Sequence, residues 1–420
     1  MNNKWMTKGM VAVIAGTIVL SGCGTKETAE TETTVEQAES ATTETTTDAP
    51  TTETVSADAT QGAEGTPPDG AGGRPPTGGG GGAQAEAKES IIEIVEQVAA
   101  DTTITEESDE AALAEEFLAT LTDEQKELVS YELTEENAVH WTNLPANSTN
   151  RNGAALGDLS NESIEAALKL AKAVLSEEGF ETMLNIIRAD EFLTTDTGRT
   201  EWGSGMYYIA LLGTPSDSDT WMMQISGHHL AENFVFNGQE VSATPQFTGT
   251  EPQTFELDGT TYSPIDTRKE GMYAIIDSLS EDQLTMAQIS QTFTDVVVGA
   301  GKDGQFPESE GILYSELSTE QQELVKTAIR AWVEDADAET SETLLGEYLS
   351  DEALAETYIG WSGSTDPDMI GSYVRIDGPR LWLEMAAQQG VAYNSGESAE
   401  AHFHTVWRDK VADYAGEFTE

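Results

Sequence analysis

One helix start is written three times along this chain. Thr122-Asp123-Glu124-Gln125, Ser280-Glu281-Asp282-Gln283 and Ser318-Thr319-Glu320-Gln321 each place a hydroxyl three residues before a glutamine. The hydroxyl accepts from the glutamine's backbone N–H, and the amide reaches back to the hydroxyl residue's own N–H. Each tetrad therefore predicts where a helix begins. Helical spacing of apolar residues runs through ESIIEIVEQVAA, EEFLATL, ESIEAALKLAKAVLSEEGFETMLNIIRA, MYAIIDSL and STEQQELVKTAIRAWVEDA.

Two other regions read as strands. In the first, MYYIALLG and WMMQISG flank TPSDSD, and NFVF and QEVS flank Asn237-Gly238, a strong hairpin signal. In the second, SYVRI and LWLEMA flank Asp377-Gly378-Pro379-Arg380. Each region opens on Gly-x-Tyr, turns through Gly and Pro, and returns on a tryptophan-bearing strand that carries Gln224 or Glu384. The expected fold is α+β: amphipathic helices packed with two antiparallel β-meanders, whose likeness suggests an internal duplication.

The chain before this part has a different character. Lys4 and Lys8 precede an apolar run from Met10 to Leu20, and Leu20-Ser21-Gly22-Cys23 follows. The run is shorter than the roughly 20 residues a membrane span needs. Its order of charged, apolar and small residues describes an export signal. The Leu-Ser-Gly-Cys ending looks like a bacterial lipobox, which implies cleavage before Cys23 and lipid on that cysteine. Residues 1–23 are thus expected to be a lipoprotein signal peptide. Residues 24–87, rich first in Thr and Glu and then in Gly and Pro, hold too little apolar surface to fold and read as a disordered acidic tether. Residues 88–420 are the expected globular domain. The expected location is the extracytoplasmic face of the cell membrane, lipid-anchored, with a lean towards a single-membrane envelope.

Charge and cysteine count narrow the chemistry. With 76 acidic and 20 basic residues the formal net charge is -56, which disfavours nucleic acid as a partner. Cys23 is the only cysteine, so no disulfide, thiolate metal site or thiol nucleophile is available to the domain. The glycine run near residue 80 and GAGKDG at 299–304 both lack the Gly-Lys-Ser/Thr of a phosphate loop. Oxygen and imidazole groups remain.

Four of the five histidines fall in two tight clusters, His228-His229 and His402-x-His404. Alternation along AHFHTVWRD puts Phe403, Thr405 and Trp407 on one face and His402, His404, Val406 and Arg408 on the other. Two imidazoles roughly 7 Å apart at Cα can converge on one ion at roughly 2.1 Å. Parity along the preceding strand places Glu384 on a face where it can reach the pair as ligand, partner or general base. Adjacent strand residues point oppositely, so one of His228 and His229 is expected in the site and the other in a structural role, unless Gly227 permits a bulge. Gln224, Arg151, Arg408 and Asp409 are candidate pocket supports; Arg408-Asp409 reads better as a salt bridge closing the domain. His140 reads as structural, and the loop carrying Trp141 and Arg151 as a packed lid.

Motifs spread over this region resemble those of a bacterial family, domain of unknown function 3500. They include Arg151-x-Gly, the Tyr207–Gly213 strand with Pro215, Trp221 ahead of Gly-His-His-Leu, and Pro245-x-Phe-x-Gly-x-Glu-Pro. Further on come Pro307-Glu-x-Glu-Gly311, Trp361-x-Gly, Gly378-Pro379 with Glu384 and Gln388, and His402-x-His-x-x-x-Arg408-Asp409. The likeness runs from about residue 110 to 416 and implies an exported bacterial protein, without implying a reaction.

Three functions follow as expectations. The first is a tethered lipoprotein that binds a small ligand or a transition metal (zinc, copper or nickel suit nitrogen and oxygen donors) through His402, His404 and His228 or His229. The second is a metal-dependent hydrolase with the same histidines and Glu384 as base. The third is a structural or adhesive surface module.

Overall fold

The computed structural model describes residues 90–418 apart from 106–107, 147, 149, 239, 258 and 394–399. The expected signal peptide, Cys23 and the expected tether lie outside the described residues. No helix among the described residues is long and apolar enough to cross a membrane.

The first half of the domain runs α1 (Ile91–Ala100), α2 (Glu110–Thr120), α3 (Asp123–Val129), β1 (Ser130–Tyr131), α4 (Glu135–Ala138), β2 (Ala154–Ala155), α5 (Asn161–Ala173) and α6 (Glu177–Thr197). The meander β3 (Tyr208–Leu212), β4 (Trp221–Gly227), β5 (Leu230–Asn237), β6 (Glu240–Ser242) and β7 (Gln246–Thr250) follows. A small hairpin, β8 (Phe255–Leu257) with β9 (Thr260–Tyr262), leads out. The second half runs α7 (Asp266–Ser278), α8 (Glu281–Ala287), β10 (Ile312–Leu313), α9 (Thr319–Val333), α10 (Ala338–Tyr348) and α11 (Asp351–Ala355). Its meander is β11 (Tyr358–Ser362), β12 (Tyr373–Asp377), β13 (Leu381–Gln389) and β14 (Ala401–Asp409).

The halves repeat one another in detail. Their meanders join in one sheet of order β1-β3-β4-β5-β7-β14-β13-β12-β11-β10, in which β3, β4, β5 and β7 repeat as β11, β12, β13 and β14 about the antiparallel β7–β14 pair, and β2 on β3 repeats as β10 on β11. All three tetrads form capping boxes, at Thr122, Ser280 and Ser318, each cap worth about 1 kcal/mol. Gln125 then donates to the Asp158 carbonyl and Gln283 to the Glu316 carbonyl, both across 33 residues. Gly153 and Gly311 both adopt positive φ (100° and 127°), and a Cβ at either would run into the carbonyl of Ile209 or Ile359 on the first strand of its meander. The duplication is a property of the fold.

The sequence likeness was nevertheless one strand out of step. Register matches Tyr208–Leu212 with Tyr358–Ser362, not with the strand that follows Gly371-Ser-Tyr373. The cross-strand pair Gln224–Asn233 therefore corresponds to Arg375–Glu384, so Gln224 and Glu384 are not counterparts. The helical run expected from 162 to 189 is also two helices. Ser176 caps α6 by accepting from Gly179 N–H, and Leu175 bridges to Ala336 of the other half.

Helices cover one face of the sheet, where Ile209, Met223, Ile225, Phe234, Phe403 and Trp407 join the main core. The other face packs Leu212, Met222, Val235, Phe247 and Val406 beneath Trp141 and Tyr414. Every residue of β14 is buried, because neither face of this central strand meets solvent.

Candidate metal centre

The turn between β4 and β5 holds two residues, His228 and His229, closed by the Gly227–Leu230 pair. His229 sits at φ 62°, a conformation uncommon for residues other than glycine. Its N–H donates to the Asn143 carbonyl, and its own carbonyl accepts from Gly249 N–H. Strand alternation thus does not apply here. The two rings lie tilted at 30° with centroids 3.7 Å apart, on the same side of the turn. Gly227 makes no bulge; its missing side chain makes room for the Tyr207 ring.

β14 brings His402 and His404 to this turn. Gly249 lies opposite His404 in register, and a Cβ there would press on the His229 and His404 rings at 3.0 and 3.2 Å. The glycine is the floor on which both imidazoles rest. His402 Nε2 and His404 Nε2 face each other at 3.2 Å. The His229 centroid is 5.2 Å from those of both His402 and His404, which are themselves 4.8 Å apart. Nitrogens about 2.1 Å from one ion, at angles between octahedral and tetrahedral, lie about 3.0–3.4 Å apart, with ring centres about 5 Å apart. His229, His402 and His404 each offer one nitrogen within 4.8 Å of the others, and Asp190, His228 and His229 form a second such group.

Carboxylates orient the rings. His404 Nδ1 lies 2.9 Å from an Asp295 carboxylate oxygen, to which it donates in the Nδ1-protonated tautomer, and 2.8 Å from the Gln388 amide nitrogen, from which it accepts in the other. Asp190 accepts from His228 Nδ1 and from the Tyr207 hydroxyl, both at 2.8 Å. A proton held on Nδ1 by a carboxylate leaves Nε2 as a free lone pair, the form a metal requires. Burial pushes the Asp295 carboxyl up, but His404 and its hydrogen bond bring it below the usual range. Burial, reinforced by the neighbouring imidazoles, holds His229 well below the usual histidine range and His402 at about 3. The two rings are neutral at any ordinary pH. His402 Nδ1 is buried beside the Gln389 backbone.

The other predicted residues lie elsewhere. Glu384 is fully buried on the face shared with His404, yet its carboxylate accepts from the Val297 and Val298 N–H groups (2.7 and 2.8 Å) and the Tyr373 hydroxyl (2.7 Å). It braces the segment that carries Asp295. Gln224 bonds Asn152, Asn233 and the Ala138 carbonyl, and His140 bonds Asn152. Arg408 pairs with Asp303 and Asp413, and Asp409 with Arg380 and Tyr348, closing the far end of β14. Arg151 donates to the carbonyls of Thr142 and Leu144, on either side of the Asn143 that holds His229.

Sequence reasoning missed Asp190, Tyr207 and Asp295. Asp190 did leave a signal, since it occupies the buried stripe of α6 with Ile186, Ile187 and Leu193. Asp295 left none, because it comes from an irregular segment.

A family model described as "Protein of unknown function (DUF3500)" matches residues 104–416. The chain belongs to the DUF3500 family. The matched span contains both histidine clusters and both carboxylates that orient them, so the centre is part of the DUF3500 domain. No curated protein and no solved structure matches the chain.

Proposed function

We propose that this DUF3500 protein is a membrane-tethered, extracytoplasmic protein that binds a transition metal through His229, His402 and His404. The observation that carries the reading is the disposition of the three rings. Their centroids stand 4.8–5.2 Å apart with two Nε2 atoms 3.2 Å apart, as ligands of a shared ion would. Nitrogen donors without thiolate suit zinc, copper or nickel. Without an ion, one of the two Nε2 atoms donates to the other; with an ion, both lone pairs serve as its ligands beside the third ring. The hydrolase reading has less support, because the carboxylate of Glu384 already holds three donors. Lipid attachment at Cys23 supplies the tether in this reading, supported by the export signal and lipobox pattern.

Elemental analysis of the full chain, purified without a histidine tag, tests the centre. Near one equivalent of a single metal is expected, and less than about a tenth of that in His402→Ala/His404→Ala. Equal metal in the double variant would end the proposal. For the tether, Cys23→Ser is expected to move the protein from the membrane fraction to the soluble one.

A further inference from the structure

Arg151 is 9% exposed, and its Nε and Nη1 have no hydrogen-bond partner; only Nη2 is engaged, with the Thr142 and Leu144 carbonyls. Its guanidinium lies over the Tyr208 ring, 5.3 Å from the centroid. No ion pair involves Arg151 among the described residues. Among the other buried arginines, Arg188 pairs with Glu96 and Glu181, Arg268 with Asp335, and Arg408 with Asp303 and Asp413, while Arg375, over the Trp382 ring, also has Nε and Nη1 without partners. In a chain with 76 acidic residues, Arg151 and Arg375 are the buried arginines without an ion pair among the described residues, and Arg151 is the one beside the histidine turn. Such a charge costs several kcal/mol unless something neutralises it.

Its position relates it to the histidine centre. The strap Thr142–Leu144 that Arg151 grips is the one whose Asn143 carbonyl holds His229. Tyr207 and Asp190 lie close enough for their charges to act on the guanidinium, but both Asp190 oxygens are occupied by His228 and Tyr207.

We propose that Arg151 anchors the anionic group of a ligand, a small monocarboxylate, beside the histidine centre. The free Nε–H and Nη1–H donors of a fixed cation each offer a charge-assisted hydrogen bond to a carboxylate oxygen, from separate edges of the guanidinium. A water molecule would leave the charge uncompensated. A phosphate dianion would carry one charge too many for a single arginine with Asp190 nearby. That the far end of the ligand meets a metal rests on the reading above; the anchor itself does not.

The test measures thermal unfolding of the full chain, stripped of metal by a chelator, in acetate against chloride at equal ionic strength. Acetate is expected to raise the midpoint saturably, with an affinity at least tenfold weaker in Arg151→Gln and intermediate in Arg151→Lys. In chloride, Arg151→Gln is expected to unfold at or above the wild-type temperature, since it removes an uncompensated buried charge. Absence of a saturable acetate response, an equal response in Arg151→Gln, a stronger response to phosphate, or a variant that no longer folds would each overturn the anchor. Metal content, measured separately, distinguishes the two readings. An Arg151-dependent acetate response in a chain that never binds metal would sink the metal centre alone. Bound metal with acetate responses identical in both chains would sink the anchor alone.

Discussion

Two turns occupy the same place in the two halves and do opposite things. Gly227-His228-His229-Leu230 joins β4 to β5, and Gly378-Pro379-Arg380-Leu381 joins β12 to β13. The frame is shared down to single bonds: Gly249 N–H donates to the His229 carbonyl, and Lys410 N–H to the Arg380 carbonyl, both at 2.7 Å. At the second turn Arg380 meets Asp409 and Glu347, and Asp409 also takes the Tyr348 hydroxyl and the N–H groups of Val411 and Ala412. That end is closed by opposite charges. At the first turn His229 meets two more imidazoles, whose Nε2 atoms face each other. One backbone frame therefore serves as a latch or as a site, according to whether the groups it gathers neutralise one another.

If that contrast is right, the two turns fail in different ways. Asp409→Ala leaves Arg380 with Glu347 alone and removes the acceptor of five donors, so it is expected to cost about 3 kcal/mol in denaturant unfolding while metal stoichiometry stays at the wild-type value. His229→Asn keeps a residue that tolerates positive φ. It is expected to leave unfolding nearly unchanged and to weaken metal binding more than about 100-fold, beyond the loss typical of an outer partner. Destabilisation by the histidine variant, or metal loss in the aspartate variant, would break the comparison.

The orienting carboxylates sharpen it. Asp295→Asn leaves His404 in place but weakens the acceptor for its Nδ1 proton. Metal affinity is expected to fall about 10–100-fold, read by competition with a chromophoric chelator, whereas an undiminished affinity would make Asp295 a bystander.

The smallest effect concerns a second asymmetry between the halves. Glu232 stands on β5 where Leu383 stands on β13, and burial raises its carboxyl to about 8, with Asp335 adding to the shift and Arg268 opposing it. Its two oxygens lack partners. Because the folded pKa exceeds the unfolded one, the folded chain binds the extra proton. Stability from this group is complete below about 4.5 and is lost as pH rises towards 8. The slope is at most about 1.4 kcal/mol per pH unit. Glu232→Gln is expected to flatten the fall in unfolding free energy between pH 5 and pH 8; an unchanged slope would assign the dependence to another group.

Much of this was written locally. The capping tetrads name three helix starts because an N-cap is decided within four residues. The His402-x-His404 parity holds because strand alternation needs no distant partner: Phe403 and Trp407 enter one core and Val406 the other. Long-range placement was not legible. A two-residue turn with positive φ at His229 cancels the alternation that separates adjacent strand residues, and the hydrogen bonds imposing it come from Asn143 and Gly249. Glu384 has the parity of a site residue, yet the Val297 and Val298 N–H groups claim its carboxylate. Asp190 and Asp295 reach the centre from a helix and from an irregular segment. Periodicity says which face a side chain takes, whereas the groups that meet it there depend on strand order and on the segments covering the sheet.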